Sequence, residues 1–367
     1  MIASAAFLVG LSLVASGAEP PEQNLDQQIE SIRSAARLVG VSVGVMVKGE
    51  VVYQKAFGLS DFENQTPMTT ESVHELASVS KPFTSVAVLL LAQDEKLQLD
   101  DPVSKYFPDY AQALAGPTIR QLLNHTGGYG DYLQSLNVAN AGPERTIVKA
   151  IAESKRRFDP GTKYEYSNSG YVLLGAIVAK VSGQSLRQFT RERIFGPAGM
   201  TRSFPNDPRL VIPGRAHGYN LFGTALQREG YTSPDFSLTG DGHIMSTTGD
   251  LMKFSSWIWS GKALKPEFLK LLTETNPVTV ASGHGYGFVS RKSASGRRTA
   301  GHNGAWEGTQ TLLLTFPDEN SAIVILSNTL GSRPALARIV EALSSNFFPP
   351  LTGGQTKNSA EFVICAH

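Results

Sequence analysis

Ser78, Val79, Ser80 and Lys81 stand just ahead of an apolar run over residues 83–91. The run predicts a helix, and a hydroxyl and an amine three positions apart at its start share one face, so the Lys81 amine reaches the Ser78 oxygen. Serine is a poor nucleophile near neutral pH and needs a base within hydrogen-bond reach. A lysine drawn out of water sheds its proton readily enough to serve. The chemistry in prospect is attack by Ser78 with Lys81 beside it. Capping of the helix by Ser78 or Ser80 is the structural alternative, and Ser-x-x-Lys alone does not choose between them. Two further clusters carry polar side chains at fixed spacing: Tyr166-Ser167-Asn168, in a loop just before a helical pattern, and His302-Asn303-Gly304, at the end of a strand-like run.

The elements that must position these residues follow from periodicity. Helical spacing covers 24–38, the run ending near Asp94 with Pro82 in its first turn, 118–123, 171–181, 185–194, 249–259 and 335–347. Strands are expected at 41–47 and 51–58 around a Lys48-Gly49-Glu50 turn, and at 299–302, 308–316 and 322–327, the last two joined by a turn at 317–320. Hairpins at both ends and helices between predict a mixed α/β (α+β) fold. It would have one antiparallel sheet built from both chain ends and flanked by helices, with a mainly helical lobe inserted. The lobes are expected at about 25–75 plus 280–348 and at about 76–279.

Composition narrows the function. The 367 residues carry 33 Lys plus Arg against 32 Asp plus Glu, with 41% apolar and 18% charged residues. Such a neutral, core-forming chain gives no electrostatic case for nucleic acid or an anionic membrane surface. The single cysteine, Cys365, cannot pair within the chain or build a thiolate metal site. Residues 1–18 are uncharged with an apolar stretch over 5–15, too short to span a bilayer and suited to a signal peptide. The expectation is a secreted or periplasmic protein. The basic start is missing, which leaves a cytoplasmic location as the alternative. Residues 349–367 read as a flexible tail.

With these motifs in order, the chain resembles the serine β-lactamase and DD-peptidase superfamily, in particular its class C-like branch with D-aminopeptidases and family VIII carboxylesterases. The likeness runs over about 25–348 and includes the Gln121–Gly128 stretch, residues 96–103, Gly196-Pro197-Ala198-Gly199-Met200 and residues 242–247. It implies that Ser78 becomes acylated and that Lys81 and the Tyr166 hydroxyl carry the proton traffic. Tyr166 would be the base or conduit, with the lysine charge lowering its pKa. The resemblance also implies that Asn168 holds Lys81 and substrate, and that His302 to Gly304 wall the cleft. The backbone N–H groups of Ser78 and Ala305 would form the oxyanion hole. No cofactor or metal is implied.

One departure bears on substrate. Penicillin-hydrolysing members usually carry Lys-Thr-Gly where this chain has His302-Asn303-Gly304, and a mostly neutral imidazole attracts a carboxylate less than an ammonium does. Arg298 is two strand repeats away and would restore a charge if it faced the cleft, although a solvated hairpin position suits it better. The Glu-x-x-Leu-Asn run of class A enzymes is absent, since Leu136-Asn137 follows Leu133 where the glutamate should stand. The expected function is a serine hydrolase of an ester or amide in a small-molecule or peptide acyl substrate, carboxylesterase or D-amino-acid peptidase in type. A true β-lactamase and a non-catalytic lactamase-like binding protein are the alternatives. Two patterns are set aside: Gly40-Val41-Ser42-Val43-Gly44 lacks the strand-to-helix turn of a nucleophile elbow, and His74-Glu75 has serine where a second zinc-binding histidine would stand.

Overall fold

A computed structural model of the protein describes residues 21–134, 144–230, 239–293 and 296–349. The leader-like segment, Leu136-Asn137 and the tail with Cys365 lie outside the described residues. Seven strands form one sheet: β1 (Gly40–Val47), β2 (Glu50–Asp61), β3 (Thr66–Pro67), β4 (Val289–Lys292), β5 (Arg298–Trp306), β6 (Thr309–Phe316) and β7 (Ser321–Ser327). Their order is β3-β2-β1-β7-β6-β5-β4, antiparallel throughout. The first and last thirds of the chain meet where β1 pairs β7, with Val43 opposite Ile325. Lys48 and Gly49, both at positive φ, make the tight turn between β1 and β2, the backbone that a two-residue hairpin needs.

Both faces of the sheet are covered, so its inner strands are apolar on both sides. Val41, Val43, Val45, Leu312, Leu314, Ile323 and Ile325 pack against the terminal helices α1 (Pro21–Ala35) and α7 (Arg333–Phe347). Leu313, Ala322, Val324 and Leu326 face the larger core of the helical region. The alternation along β7 is the period of two expected for a strand. The helical region is built on α2 (Lys81–Gln93), α3 (Ile119–Leu123), α4 (Glu144–Glu153), α5 (Asn168–Ser182) and α6 (Thr248–Trp259). Helix α2 is buried along nearly its whole length, which accounts for its lack of a polar face.

The structure adds to the expected elements. Strand β5 continues through His302, Asn303 and Gly304 to Trp306 instead of stopping at His302. Strands β3 and β4 widen the sheet at its edges, and α4 was not anticipated. The middle also holds a small hairpin, Tyr219–Phe222 with Ala225–Arg228, and a three-stranded patch in which Ile244–Ser246 pairs with His74–Glu75 and Phe204–Pro205. The helical pattern over 185–194 is a short α-helix, Leu186–Thr190, continued by a π turn, Arg191–Phe195.

Glycines 40 and 44, which gave the elbow-like pattern, are packing residues. A Cβ on Gly40 would stand 2.4 Å from the Leu59 carbonyl oxygen, whereas one on Gly44 would meet the movable end of Met252 at 2.9 Å. Backbone cannot give way as a thioether can. Gly40→Ala should therefore cost about 1–3 kcal/mol and clearly more than Gly44→Ala. Denaturant midpoints of the two variants check this, and equal losses would contradict it.

Candidate active site

Ser78 sits in a single 3₁₀ turn, Ala77–Ser80, that runs straight into α2. In a 3₁₀ turn residues i and i+3 eclipse, and Ser78 and Lys81 are such a pair. Lys81 Nζ donates to Ser78 Oγ at 3.0 Å. Ala77 immediately before the serine has φ 48°, a left-handed conformation that costs a non-glycine residue energy and marks a constrained turn. The turn is held from β6: Thr311 Oγ1 donates to the Leu76 carbonyl at 2.8 Å and Thr309 Oγ1 to the Glu75 carbonyl at 3.1 Å. It is pressed from β5 at Gly304, where a Cβ would lie 2.2 Å from the Leu76 oxygen. Pro82 follows in the first turn of α2, where it costs no backbone hydrogen bond.

Lys81 is wholly buried. Besides Ser78 its amine reaches Asn168 Oδ1 at 2.7 Å and the Asp241 carbonyl at 3.2 Å. Burial pushes the amine down to about 8, against the opposing pull of the Asp241 and Asp131 carboxylates. Asn168, the first residue of α5, is not a side-chain cap. Its Nδ2 donates to Asp131 Oδ2 at 2.8 Å while its oxygen holds the lysine. The Asp241 carboxylate accepts from Thr239 Oγ1 at 2.6 Å and Tyr132 Oη at 3.0 Å. Burial raises the Asp241 pKa, with Lys81 working the other way. The loop carrying Asp241 is tied to α2 through Thr84 Oγ1 to the Gly240 carbonyl, 2.6 Å, and Ile244 N to Ser80 Oγ, 3.2 Å.

The Tyr166 phenol hydrogen-bonds to Ser78, yet burial drives its pKa well above the ordinary value. Sequence reasoning expected Lys81 to lower that pKa. The lysine instead lies over the ring face, 5.0 Å from its centroid, and desolvation prevails. Ser78, Tyr166 and Asn168 line one cleft of about 230 Å³ together with Asn303, Ala305, Trp306, Leu133, Asn206, Asp241 and Glu75. His302 and Gly304 depart from the expected cleft wall. His302 is buried, with its ring 6.1 Å from that of Tyr166 and its Nδ1 2.6 Å from the Asn303 carbonyl. Gly304 serves the close approach to the serine turn. Arg298 pairs with Asp318 at 2.6 Å on the surface, as a hairpin residue would. Ser42 is buried in β1, 3.3 Å from His74 Nε2, and has no part in the cleft. No cluster of three or more metal-binding side chains occurs among the described residues.

Asp131, Tyr132 and Asp241 carry no sequence signal, and Glu75, part of the discarded His74-Glu75 pattern, lies at the cleft. Glu75, half-buried at the cleft, is pushed up to about 8 by burial and by the Glu229 charge. Asp241 directly precedes a stretch that did attract notice, residues 242–247, but it meets Lys81 through its backbone, which no residue type betrays.

Known proteins share this fold. A family model described as Beta-lactamase matches residues 25–345. Penicillin-binding protein 4* of Bacillus subtilis strain 168 is 31% identical over 304 residues, covering 76% of this chain and 66% of the relative. A D-aminopeptidase of Cereibacter sphaeroides strain ATCC 17023 is 28% identical over 323 residues, 85% of this chain and 61% of the relative. The chain thus spans less than two thirds of the length of these curated relatives. Among solved structures, D-amino acid amidase from Ochrobactrum anthropi SV3 superposes with a TM-score of 0.76 at 25% identity, covering 88% of this chain and 99% of that one. The octameric penicillin-binding protein homologue from Pyrococcus abyssi shares the fold, with a TM-score of 0.76 at 24% identity over 89% of this chain and 77% of that one.

The Lys81 environment sets a pH dependence. If Lys81 takes the Ser78 proton it must do so as the neutral amine, so labelling of Ser78 by a fluorophosphonate should rise with pH and level off above about 8. Asp241→Asn removes a charge that holds the proton on Lys81, so its midpoint should fall. Labelling rates measured against pH test both statements. A flat profile, or a midpoint raised by Asp241→Asn, would contradict them.

Proposed function

Because the chain belongs to the beta-lactamase family, we propose that it is a cofactor-independent serine hydrolase that cleaves an ester or amide through an acyl-Ser78 intermediate. The observation that carries this reading is the enclosed Lys81 amine, 3.0 Å from Ser78 Oγ and with its pKa brought down to about 8. A helix cap needs no such lysine. Ser78 attacks the acyl carbon as its proton passes to Lys81 Nζ. The backbone N–H groups of Ser78 and Ala305, both at the cleft, hold the oxyanion, a contribution of about 3 kcal/mol per donor in comparable sites. Tyr166 stays protonated and hydrogen-bonded to Ser78. It gives its proton to the departing oxygen or nitrogen and is refilled from Lys81. Water then attacks the acyl carbon, the same groups working in reverse. Asn168 steers Lys81 and offers its amide to the substrate.

Carboxylesterase or D-amino-acid peptidase action ranks above β-lactam hydrolysis. The relatives named D-aminopeptidase and D-amino acid amidase support an acyl group of that kind. The strand carries His302-Asn303-Gly304 where a penicillin-hydrolysing relative has Lys-Thr-Gly, so it supplies no ammonium for a penicillin carboxylate, and an ester needs none, since its alcohol leaves once the oxyanion is held.

The test offers short aryl esters, D-amino-acid amides, a D-Ala-D-Ala peptide and a penicillin to the pure protein, following turnover and acyl-enzyme mass. Esters or D-amino-acid amides should exceed penicillin in kcat/KM by at least about tenfold, near 1.4 kcal/mol in transition-state binding. Ser78→Ala should abolish turnover and the mass adduct, while Ser42→Ala keeps most activity. A tenfold preference for penicillin would favour the β-lactamase reading. No adduct with any probe would favour a binding protein.

A further inference from the structure

His125 lies outside the proton path just described, yet it grips the segment carrying Tyr166 in three ways. Its carbonyl accepts the Glu165 N–H at 3.1 Å, and its ring Nδ1 accepts the Ser167 N–H at 3.2 Å. These are the two residues that flank the tyrosine. Its imidazole stacks on the Tyr166 phenol itself, with ring centroids 4.5 Å apart and planes 29° from parallel. His125 is buried and has φ 60°, so the turn closing α3 spends backbone strain to aim the ring at this spot. Next to it, the Thr126 carbonyl accepts Gly161 N at 2.8 Å, which ties the same loop at its start.

Resting on the reading of Tyr166 as the proton donor, we propose that His125 is a positioning residue that fixes the phenol at Ser78. The imidazole supplies two constraints that a single smaller group cannot supply together. Acceptance at Nδ1 requires the proton on Nε2 and fixes the backbone after Tyr166. The stacked face stops the phenol from tilting away from the serine. The His284 and His302 rings stand farther from the phenol, each at 6.1 Å, so of the three the His125 face bears on it most closely, and a displacement of about 1 Å in a reacting group can cost on the order of 100-fold in rate. The family of interactions is built from the closing turn of one helix and the leading loop of another, so it transmits the α3–α5 packing to the reacting hydroxyl.

Two substitutions separate the constraints. His125→Asn keeps an acceptor near Nδ1 and tolerates the left-handed backbone, but has no ring. His125→Phe keeps a ring and has no acceptor. Each is combined with Tyr166→Phe, and the acylation rate is measured in single turnovers with ethyl butyrate, whose ethoxide needs a proton to leave, alongside thermal melting. With Tyr166 present, each His125 change should slow acylation about tenfold or more with little change in KM. In the Tyr166→Phe background the same change should cost less than about twofold, because the group it positions is gone. An equal loss in both backgrounds would mean a general structural role and overturns the proposal, as does no loss in either. If the Phe variant fails to fold, the Asn variant carries the comparison. Tyr166→Phe acylating at the unmodified rate would instead sink the assignment of Tyr166 itself, an outcome distinct from failure at His125.

Discussion

The constraint on which the site depends is the burial of one amine. An ammonium withdrawn from water costs several kcal/mol unless partners replace its hydration, and Lys81 is fully enclosed. The fold answers with three oxygens from three places in the chain: Ser78, Asn168 and the Asp241 carbonyl. Each partner is itself tethered, the Ser78 turn to Thr311, Asn168 to Asp131 and the Asp241 loop to Thr84. The carboxylates stay close enough to moderate the loss of proton affinity without pairing directly with the amine. A direct ion pair would have kept Lys81 charged and useless as a base.

The same burial separates two groups that sequence alone treats as equals. Lysine and tyrosine have similar ordinary pKa values, near 10. Enclosure moves them in opposite directions, since the lysine is charged when protonated and the tyrosine when deprotonated. Enclosure therefore leaves an amine that sheds its proton more easily beside a phenol that keeps its own, and the Asp241 carboxylate, which raises both, does not create the difference.

Much of this was legible in the sequence because it is local. The Ser78 and Lys81 spacing, the Lys48-Gly49 turn and the continuous apolar runs of β6 and β7 are short-range patterns, and each element formed where its pattern lay. The joining of the two chain ends in one sheet followed from hairpins at both. What was not legible depends on packing between distant segments. The direction of the Tyr166 shift needs the degree of enclosure. The burial of His302 needs the path of β5 beside Tyr166. Asp241 contributes a carbonyl that every residue owns, and Asp131, Tyr132 and Glu75 have no spacing relative to Ser78 that a motif records. His125 did fall within a noted stretch, Gln121 to Gly128, but its meaning depends on the rings that other loops bring to it.

Gly304 presses against the turn at Leu76 and Ala77, so the strand bearing Ala305 and the serine share one joint though they come from opposite ends of the chain. Closing so long a loop carries an entropic cost that must be met before the contact rewards it, and such distant pairings form slowly. The Ser78–Lys81 pair can arise early within its own turn, but the oxyanion pocket opposite it cannot. During synthesis a chain that has emerged only through α6 already contains the nucleophile and its base, yet lacks the N–H of Ala305 and the pressure that seats the turn. On the proposed mechanism, acylation would therefore wait for the last strands to dock.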